Sequence, residues 1–402
     1  MPNEQSLTLE WLLSPFSTKV FFKEYFERRA LLIKAKNKKK FSAVLKVEEV
    51  DQFLWQQKSR LSSIVSVFNE SRAIHPDKYV SQSEYRRWLL DAYENKGTLV
   101  INQLDSFCSP AASLRQNLIG GLRAKVSVNA YITSNAAAGF AAHFDRHDVF
   151  ILQIEGTKKW TVANKPEMLL PCERHAQKQG APLITFGQDT TCLSLSKGDL
   201  LYLPRGLVHR AETENRHSVH ITVGVTPCSW SQVAMEMIKA VEDRDVSLRR
   251  AAWPSQKMPP FIADLSNLTS SYGGTRADVD DALVAIWRHL IADMEALPDQ
   301  SANMFNHEDA VATTSVQVRA GMKCLVTTDR KVARIAFPGI GSASRPASID
   351  GPRSLEQAFR FIANTTRSFR VSDLPGPISE SAKVVVANRL LREGFLKIVA
   401  TK

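Results

Sequence analysis

The 402 residues are 44% hydrophobic and 23% charged, a balance ordinary for globular chains, and 52 Lys and Arg against 41 Asp and Glu give a formal charge of +11. Five scattered cysteines (Cys108, Cys172, Cys192, Cys228 and Cys324) with no C-x-x-C argue against a disulfide framework or a zinc ribbon. The opening MPNEQSLTLEWLL has no basic region followed by a long apolar run, so no signal peptide is expected, and no apolar run reaches the roughly 18 residues of a membrane span, so a cytoplasmic protein is expected.

The length accommodates two or three domains. The surplus positive charge suits an acidic partner such as RNA, although plain solubility accounts for it as well. Residues 1–60 read as helical. TKVFFKEYFERRALLI has apolar residues at helical spacing, with LLI passing into a strand. The run KAKNKKK at 34–40 is a solvated loop or an RNA-facing patch. VEEVDQFLWQQ reads as a short helix, LSSIVSVFNE as a strand, SQSEYRRWLLDAYENKG as a helix ending at Gly97, and TLVIN as a strand. SPAASLRQNLIGGL starts a helix with Pro110 in its first turn.

From 127 to 226 short apolar strands alternate with Gly, Pro and Asn turns, as in an antiparallel jelly roll. Within it GFAAHFDRHDVFILQIEGTKKW places His143 and Asp145 two apart, on one face if the segment is a strand. A second stretch, SKGDLLYLPRGLVHR, runs through a tight Pro204–Gly206 turn to His209. Two imidazoles and one carboxylate on one face of an octahedral ion leave three positions open, the facial triad of non-haem Fe(II) oxygenases. His143, Asp145 and His209 are therefore the expected metal ligands and catalytic centre. His147 shares their parity and is expected to line the pocket. His220 is placed near the site, and His217 in an exposed turn. No constellation surrounds His75, His175, His289 or His307.

These two stretches, with LLSPFSTKVFFKEYFERRALLI near the start, resemble the JmjC-type cupins called ribosomal oxygenases, which are Fe(II)- and 2-oxoglutarate-dependent protein hydroxylases. The match covers roughly residues 8–35 and 95–226. It implies a mainly β core with helices: a double-stranded β-helix in a catalytic domain over 1–226, with its barrel core at about 95–226. A helical dimerisation region over 227–300 and a winged-helix-like domain over 301–402 follow. The family's co-substrate lysine falls on Lys158. Parity puts Lys158 inward beside Trp160, with Lys159 the rival if the strand faces the other way. An Asn and a Tyr of the family fall on Asn129 and Tyr131; alternatively, Tyr131 simply packs and Asn129 caps a turn. Thr222 is offered as a hydroxyl contact, with Gly224 where another hydroxyl is expected.

The resemblance implies Fe(II), with 2-oxoglutarate and O2 as co-substrates, and hydroxylation at carbon of a His or Arg side chain in a ribosomal protein. It also implies a homodimer through SWSQVAMEMIKAVEDRDVSLRRA and DVDDALVAIWRHLIADMEAL, both amphipathic. Nucleic-acid contact is compatible but not required. Three rivals stand beside it: a hydroxylase of another peptide or a small molecule, an N-methyl-lysine demethylase, and a non-enzymatic cupin and winged-helix binding protein. The segment 163–190 reads as a loop-rich insertion between the ligand stretches.

Overall fold

The computed structural model describes residues 7–56, 61–69, 72–76, 81–134, 140–172, 185–187, 189–213, 217–244, 246–249, 276–292, 309–319, 322–338 and 347–399. The chain forms two compact units, Met1–Pro227 and Cys228–Lys402.

The first unit contains eleven strands among its described residues: β1 (Leu31–Ile33), β2 (Val65–Asn69), β3 (Arg72–Ile74), β4 (Thr98–Ile101), β5 (Ala124–Thr133), β6 (Asp148–Glu155), β7 (Thr157–Ala163), β8 (Thr190–Ser196), β9 (Leu200–Leu203), β10 (His209–Glu212) and β11 (Ser218–Pro227). Eight make one sheet in the order β1-β9-β6-β11-β5-β4-β2-β3, and three make a second in the order β10-β7-β8. The large sheet thus reaches well outside residues 95–226, taking in the LLI strand and the hairpin of β2 and β3. All pairings in both sheets are antiparallel, with β11 at the centre against β5 and β6.

Period-two alternation decides what each face carries. From β6 and β9, Val149, Ile151, Leu201 and Leu203 face the small sheet, where Trp160, Val162, Leu195 and Ala211 meet them in one buried cluster. The intervening residues of β6 face the other way. Phe150 meets Phe21 and Tyr202 with ring centroids 5.7 and 5.0 Å away, so the helix Thr18–Glu24 seals that side. Because both faces are covered, β6 is buried almost throughout rather than alternating, with an apolar run at its centre. Phe21 is fully buried, which is worth roughly 2–3 kcal/mol of hydrophobic stabilisation.

Two expected elements differ in extent. The first helical stretch ends at Glu24 and gives way to turns in which Glu27 has φ of 58°, so TKVFFKEYFERRALLI is helical only in its first half. In LSSIVSVFNE a helical turn, Leu61–Ile64, precedes the strand. The helix Gln82–Glu94 has the capping box its sequence signals: the Ser81 hydroxyl accepts from the Glu84 N–H, and the Glu84 carboxylate from the Ser81 N–H. The helix Ser109–Leu122 carries its proline in the first turn, as expected, and packs on β5.

In the second unit the helices Trp230–Arg244 and Arg276–Ala292 pack on each other. Beyond them lie β12 (Ser315–Val318), β13 (Leu325–Thr328), β14 (Val332–Phe337), β15 (Ala347–Pro352), β16 (Phe369–Arg370) and β17 (Leu396–Ile398). They form two three-stranded sheets, β16-β12-β17 and the meander β13-β14-β15. The helices Glu356–Asn364 and Glu380–Arg392 enclose a core containing Phe337, Phe359 and Phe395. The apolar spacing of SLEQAFRFIANTT and SESAKVVVANRLLREGF predicts the two helices, and FLKIVATK the last strand; the meander does not follow from its sequence pattern.

Candidate metal centre in the barrel

His143 and Asp145 do not lie in a regular strand: β6 begins only at Asp148. The same-face argument made for them as strand residues is therefore corrected. What brings them to one point is an isolated antiparallel bridge between His143 and His209, in which each backbone N–H donates to the other's carbonyl, at 3.2 and 2.8 Å. Asp145 is fixed in turn by its carbonyl, which accepts from the Gly206 N–H at 2.9 Å. Gly206 holds φ of +86°, and a Cβ there would stand 1.8 Å from the Met168 carbonyl oxygen, so the turn before His209 requires glycine. Arg205 in the same turn is clamped between buried Asp148 and Glu27, at 3.1 and 2.6 Å. Tyr202 OH and the Arg205 N–H also donate to Asp148. Burial pushes the Asp148 carboxyl up, against the pull of Arg205.

One donor atom from each of His143, Asp145 and His209 lies within 4.8 Å of the others, and among the described residues they form the one His, Cys or carboxylate cluster with such spacing. The imidazole centroids are 4.5 Å apart, and His209 Nε2 lies 3.5 Å from Asp145 Oδ2. Each Nδ1 faces a carbonyl oxygen, His143 that of Ala141 at 2.8 Å and His209 that of Leu207 at 2.9 Å. A carbonyl only accepts, so both Nδ1 atoms carry the proton. Both Nε2 lone pairs are left for a cation. Burial, helped by His143, depresses His209 to about 4, so this ligand is neutral at physiological pH. Burial alone raises Asp145, but the facing imidazoles outweigh it and hold the carboxylate below its ordinary range.

Lys158 points inward, as parity requires, and is 2% exposed beside buried Trp160 on β7. Its ammonium donates to Thr133 Oγ1 at 2.8 Å and has no acidic partner among the described residues. Burial lowers it to about 7. Tyr131, Lys158, Trp160, His220 and Thr222 line the same cavity as the three candidate ligands. His220 stacks on Tyr131 at 4.8 Å, and burial, then the Lys158 charge, holds it well below its usual range.

Two expectations for the lining need correction. The Asn129 carboxamide oxygen accepts from the Gln103 N–H at 3.0 Å, and Asn129 is not among the lining residues, so it has the turn-capping position rather than the pocket position. His147 does not line the cavity either; its ring packs against Gly224, where a Cβ would stand 3.3 Å from Cε1. His217 is exposed, His75 is exposed, and His175 and His307 lie outside the described residues, as does much of the 163–190 segment. Sequence reasoning passed over Thr133, an ordinary strand threonine that meets the buried ammonium, and Thr98, whose hydroxyl lies 3.4 Å from Thr133 Oγ1.

Residues 106–233 match the family model of the JmjC domain. The chain carries a JmjC domain. The JmjC chain is 30% identical over 331 residues to the bifunctional lysine-specific demethylase and histidyl-hydroxylase NO66 of Drosophila melanogaster, covering 75% of this chain and 47% of that protein. It is 29% identical over 261 residues to ribosomal oxygenase 2 of Bos taurus, covering 60% and 53%. The chain spans about half the length of these relatives. Its fold is similar to that of YcfD, a ribosomal oxygenase from Escherichia coli solved with cobalt and 2-oxoglutarate, with a TM-score of 0.56 at 14% identity over 96% of this chain and 99% of that one. The recognition drawn from the two ligand stretches holds at the level of the domain: residues 106–233 match the JmjC domain, the fold is the jelly roll expected of it, and the chain is similar to the ribosomal oxygenases. Among the described residues no helix is long and apolar enough to cross a membrane.

Proposed function

We propose that the chain is an Fe(II)- and 2-oxoglutarate-dependent oxygenase that hydroxylates a histidine or arginine side chain of a protein, a ribosomal protein foremost. The observation that carries this reading is the convergence of a two-His, one-carboxylate cluster and an uncompensated buried lysine on one cavity. His143, Asp145 and His209 hold the ion through two Nε2 atoms and a carboxylate. The residues fit such an ion, since two imidazoles whose Nδ1 atoms are taken by backbone carbonyls and one carboxylate already face one point without rearrangement. Lys158 fits an anionic co-substrate: a buried ammonium whose only described partner is a hydroxyl is stabilised by a carboxylate arriving beside it. Thr133 then stays as the second group on that carboxylate, and Tyr131, Trp160, His220 and Thr222 shape its walls.

When bound, iron with 2-oxoglutarate supplies O2 activation, in which one oxygen atom goes to the substrate C–H and the other to succinate, with loss of CO2. The protein's part is to position. The backbone bridge fixes the two imidazoles, the Gly206 N–H fixes Asp145, and the apolar walls exclude water.

The helices Trp230–Arg244 and Arg276–Ala292 make the homodimer contact in this reading, and the last hundred residues act as a winged-helix-like module for protein contact, nucleic acid not being required. A cytoplasmic location goes with a ribosomal substrate. The relatives named for histidyl hydroxylation and as ribosomal oxygenases support the substrate class over the demethylase reading, although one name joins both activities. The test is incubation of Fe(II)-loaded protein with 2-oxoglutarate, O2 and purified ribosomal proteins. The expected result is succinate with gain of one oxygen on a His- or Arg-containing peptide. Succinate driven only by a small molecule supports the other hydroxylase reading, methyl loss the demethylase, and neither binding nor turnover the binding protein.

A further inference from the structure

The lysine run at 34–40 is not a loose solvated loop. Its start is pinned by buried Asp199, whose carboxylate accepts from Lys34 Nζ, the Ala35 N–H and the Ser196 N–H, each at 2.8–2.9 Å. Its middle is pressed against the turn after β8: a Cβ on Gly198, at φ of +90°, would stand 2.9 Å from Lys38 Cα. Its end is tied down by Lys40, whose ammonium donates to the Leu12 and Ser14 carbonyls at 2.9 and 2.8 Å. Those two bonds use two of its three N–H donors.

Ordering five lysines within seven residues costs repulsion, and anchors at both ends hold the run in place against it. Lys36, Lys38 and Lys39 are exposed and have no ion pair among the described residues. The run borders a cleft of about 560 Å³ lined by Lys39, Lys40, Lys46 and Lys197, with Trp11 and Ser42 in its wall. Two carboxylates also line it; Glu155 is paired with Lys197, while Glu48 is exposed at the rim. Lys46 is committed to Glu49. The surplus charge of the cleft therefore comes from the run itself.

We infer that this cleft and the anchored run beside it bind the phosphate backbone of single-stranded RNA, at a site separate from the metal-centre cavity. The cations are all lysines, which act as point charges and demand no planar partner, as a backbone of repeated phosphates requires. Lys36, Lys38 and Lys39 are exposed in close succession where the run turns into the 3-10 helix Lys40–Ala43, and the partly exposed Trp11 supplies the aromatic surface that single-strand sites combine with cations.

The experiment is fluorescence anisotropy of a labelled 15-mer oligouridylate with the full chain across a salt series. With Lys36, Lys38, Lys39 and Lys40 each meeting a phosphate, the log–log salt slope is about −2.8, so affinity falls about 50-fold between 50 and 200 mM salt. The joint change Lys36→Gln, Lys38→Gln and Lys39→Gln should cost at least tenfold and flatten the slope by about 2. Lys39→Gln alone, which risks nothing in folding, should flatten it by about 0.7. A matched loss of charge at exposed Lys19, Lys23 and Arg28 should change little, and 2-oxoglutarate binding should be unaffected in every variant. Unchanged RNA affinity in the triple variant, or an equal loss in the matched control, overturns the proposal. So does polyglutamate binding as tightly with the same dependence on the run, which would mark a site for acidic protein.

Discussion

At the residue scale the site turns on one ammonium. Lys158 sits in a place that suits neither its charge nor its solvation unless an anion arrives, because its one described partner is the Thr133 hydroxyl. Lys158→Met removes that mismatch at nearly constant volume. The ligand-free variant should melt at a higher temperature, with a gain on the order of a few kcal/mol, readable by calorimetry. The same change should weaken 2-oxoglutarate binding by about ten- to a hundredfold, the worth of a charge-assisted hydrogen bond, readable by isothermal titration calorimetry. The pH dependence follows with its sign. The folded value of Lys158, about 7, lies below its ordinary 10.5, so between these values the unfolded chain holds more protons. The penalty on ligand-free stability is then fully present below pH 7 and fades as pH rises towards 10.5. A bound carboxylate favours the charged lysine, so above pH 7 binding takes up a proton and affinity falls by up to about tenfold per pH unit. Titrations in two buffers of different ionisation enthalpy should read that uptake near pH 8; no uptake would mean that Lys158 does not meet the anion.

At the element scale the metal-centre geometry is set by a bridge and a turn rather than by a continuous strand. Gly206→Ala puts a methyl into the Met168 carbonyl at a φ that alanine avoids, and it should destabilise the fold by about 2–4 kcal/mol and loosen metal binding, since the Gly206 N–H holds Asp145. Arg205→Met strands the fully buried Asp148 without its cation and should cost about 3–5 kcal/mol in denaturant unfolding. The same elements explain what could be read beforehand. The donor set was legible because only a few residue types ligate metals, and Lys158 because alternation along β7 leaves it one inward side. The parity argument failed for His147 because His143, Asp145 and His147 all precede β6, where period two does not apply. Thr133 gave no signal, since a threonine in a strand is unremarkable until a buried cation lies 2.8 Å away. The β13-β14-β15 meander was illegible because β13 is half-buried throughout and β15, although its exposure alternates, buries no residue fully.

At the scale of the whole molecule every residue assigned to the centre lies in the unit Met1–Pro227, while the second unit presents exposed apolar side chains on one helix. Trp230, Met235 and Ile238 are 77%, 53% and 48% exposed, a surface that a second copy of the chain would cover in the proposed dimer. Replacing Met235 and Ile238 by Glu should give a monomer by light scattering, with metal binding retained; an unchanged dimer would place the interface elsewhere. The most direct test of the central claim is an anaerobic titration of Fe(II) and 2-oxoglutarate into the protein, followed by the visible charge-transfer band of the chelated keto acid. A band that saturates at one ion per chain, vanishes in His209→Ala and needs far more 2-oxoglutarate in Lys158→Met is the predicted result. A folded protein that develops no band, or one whose band survives the loss of His209, would contradict it.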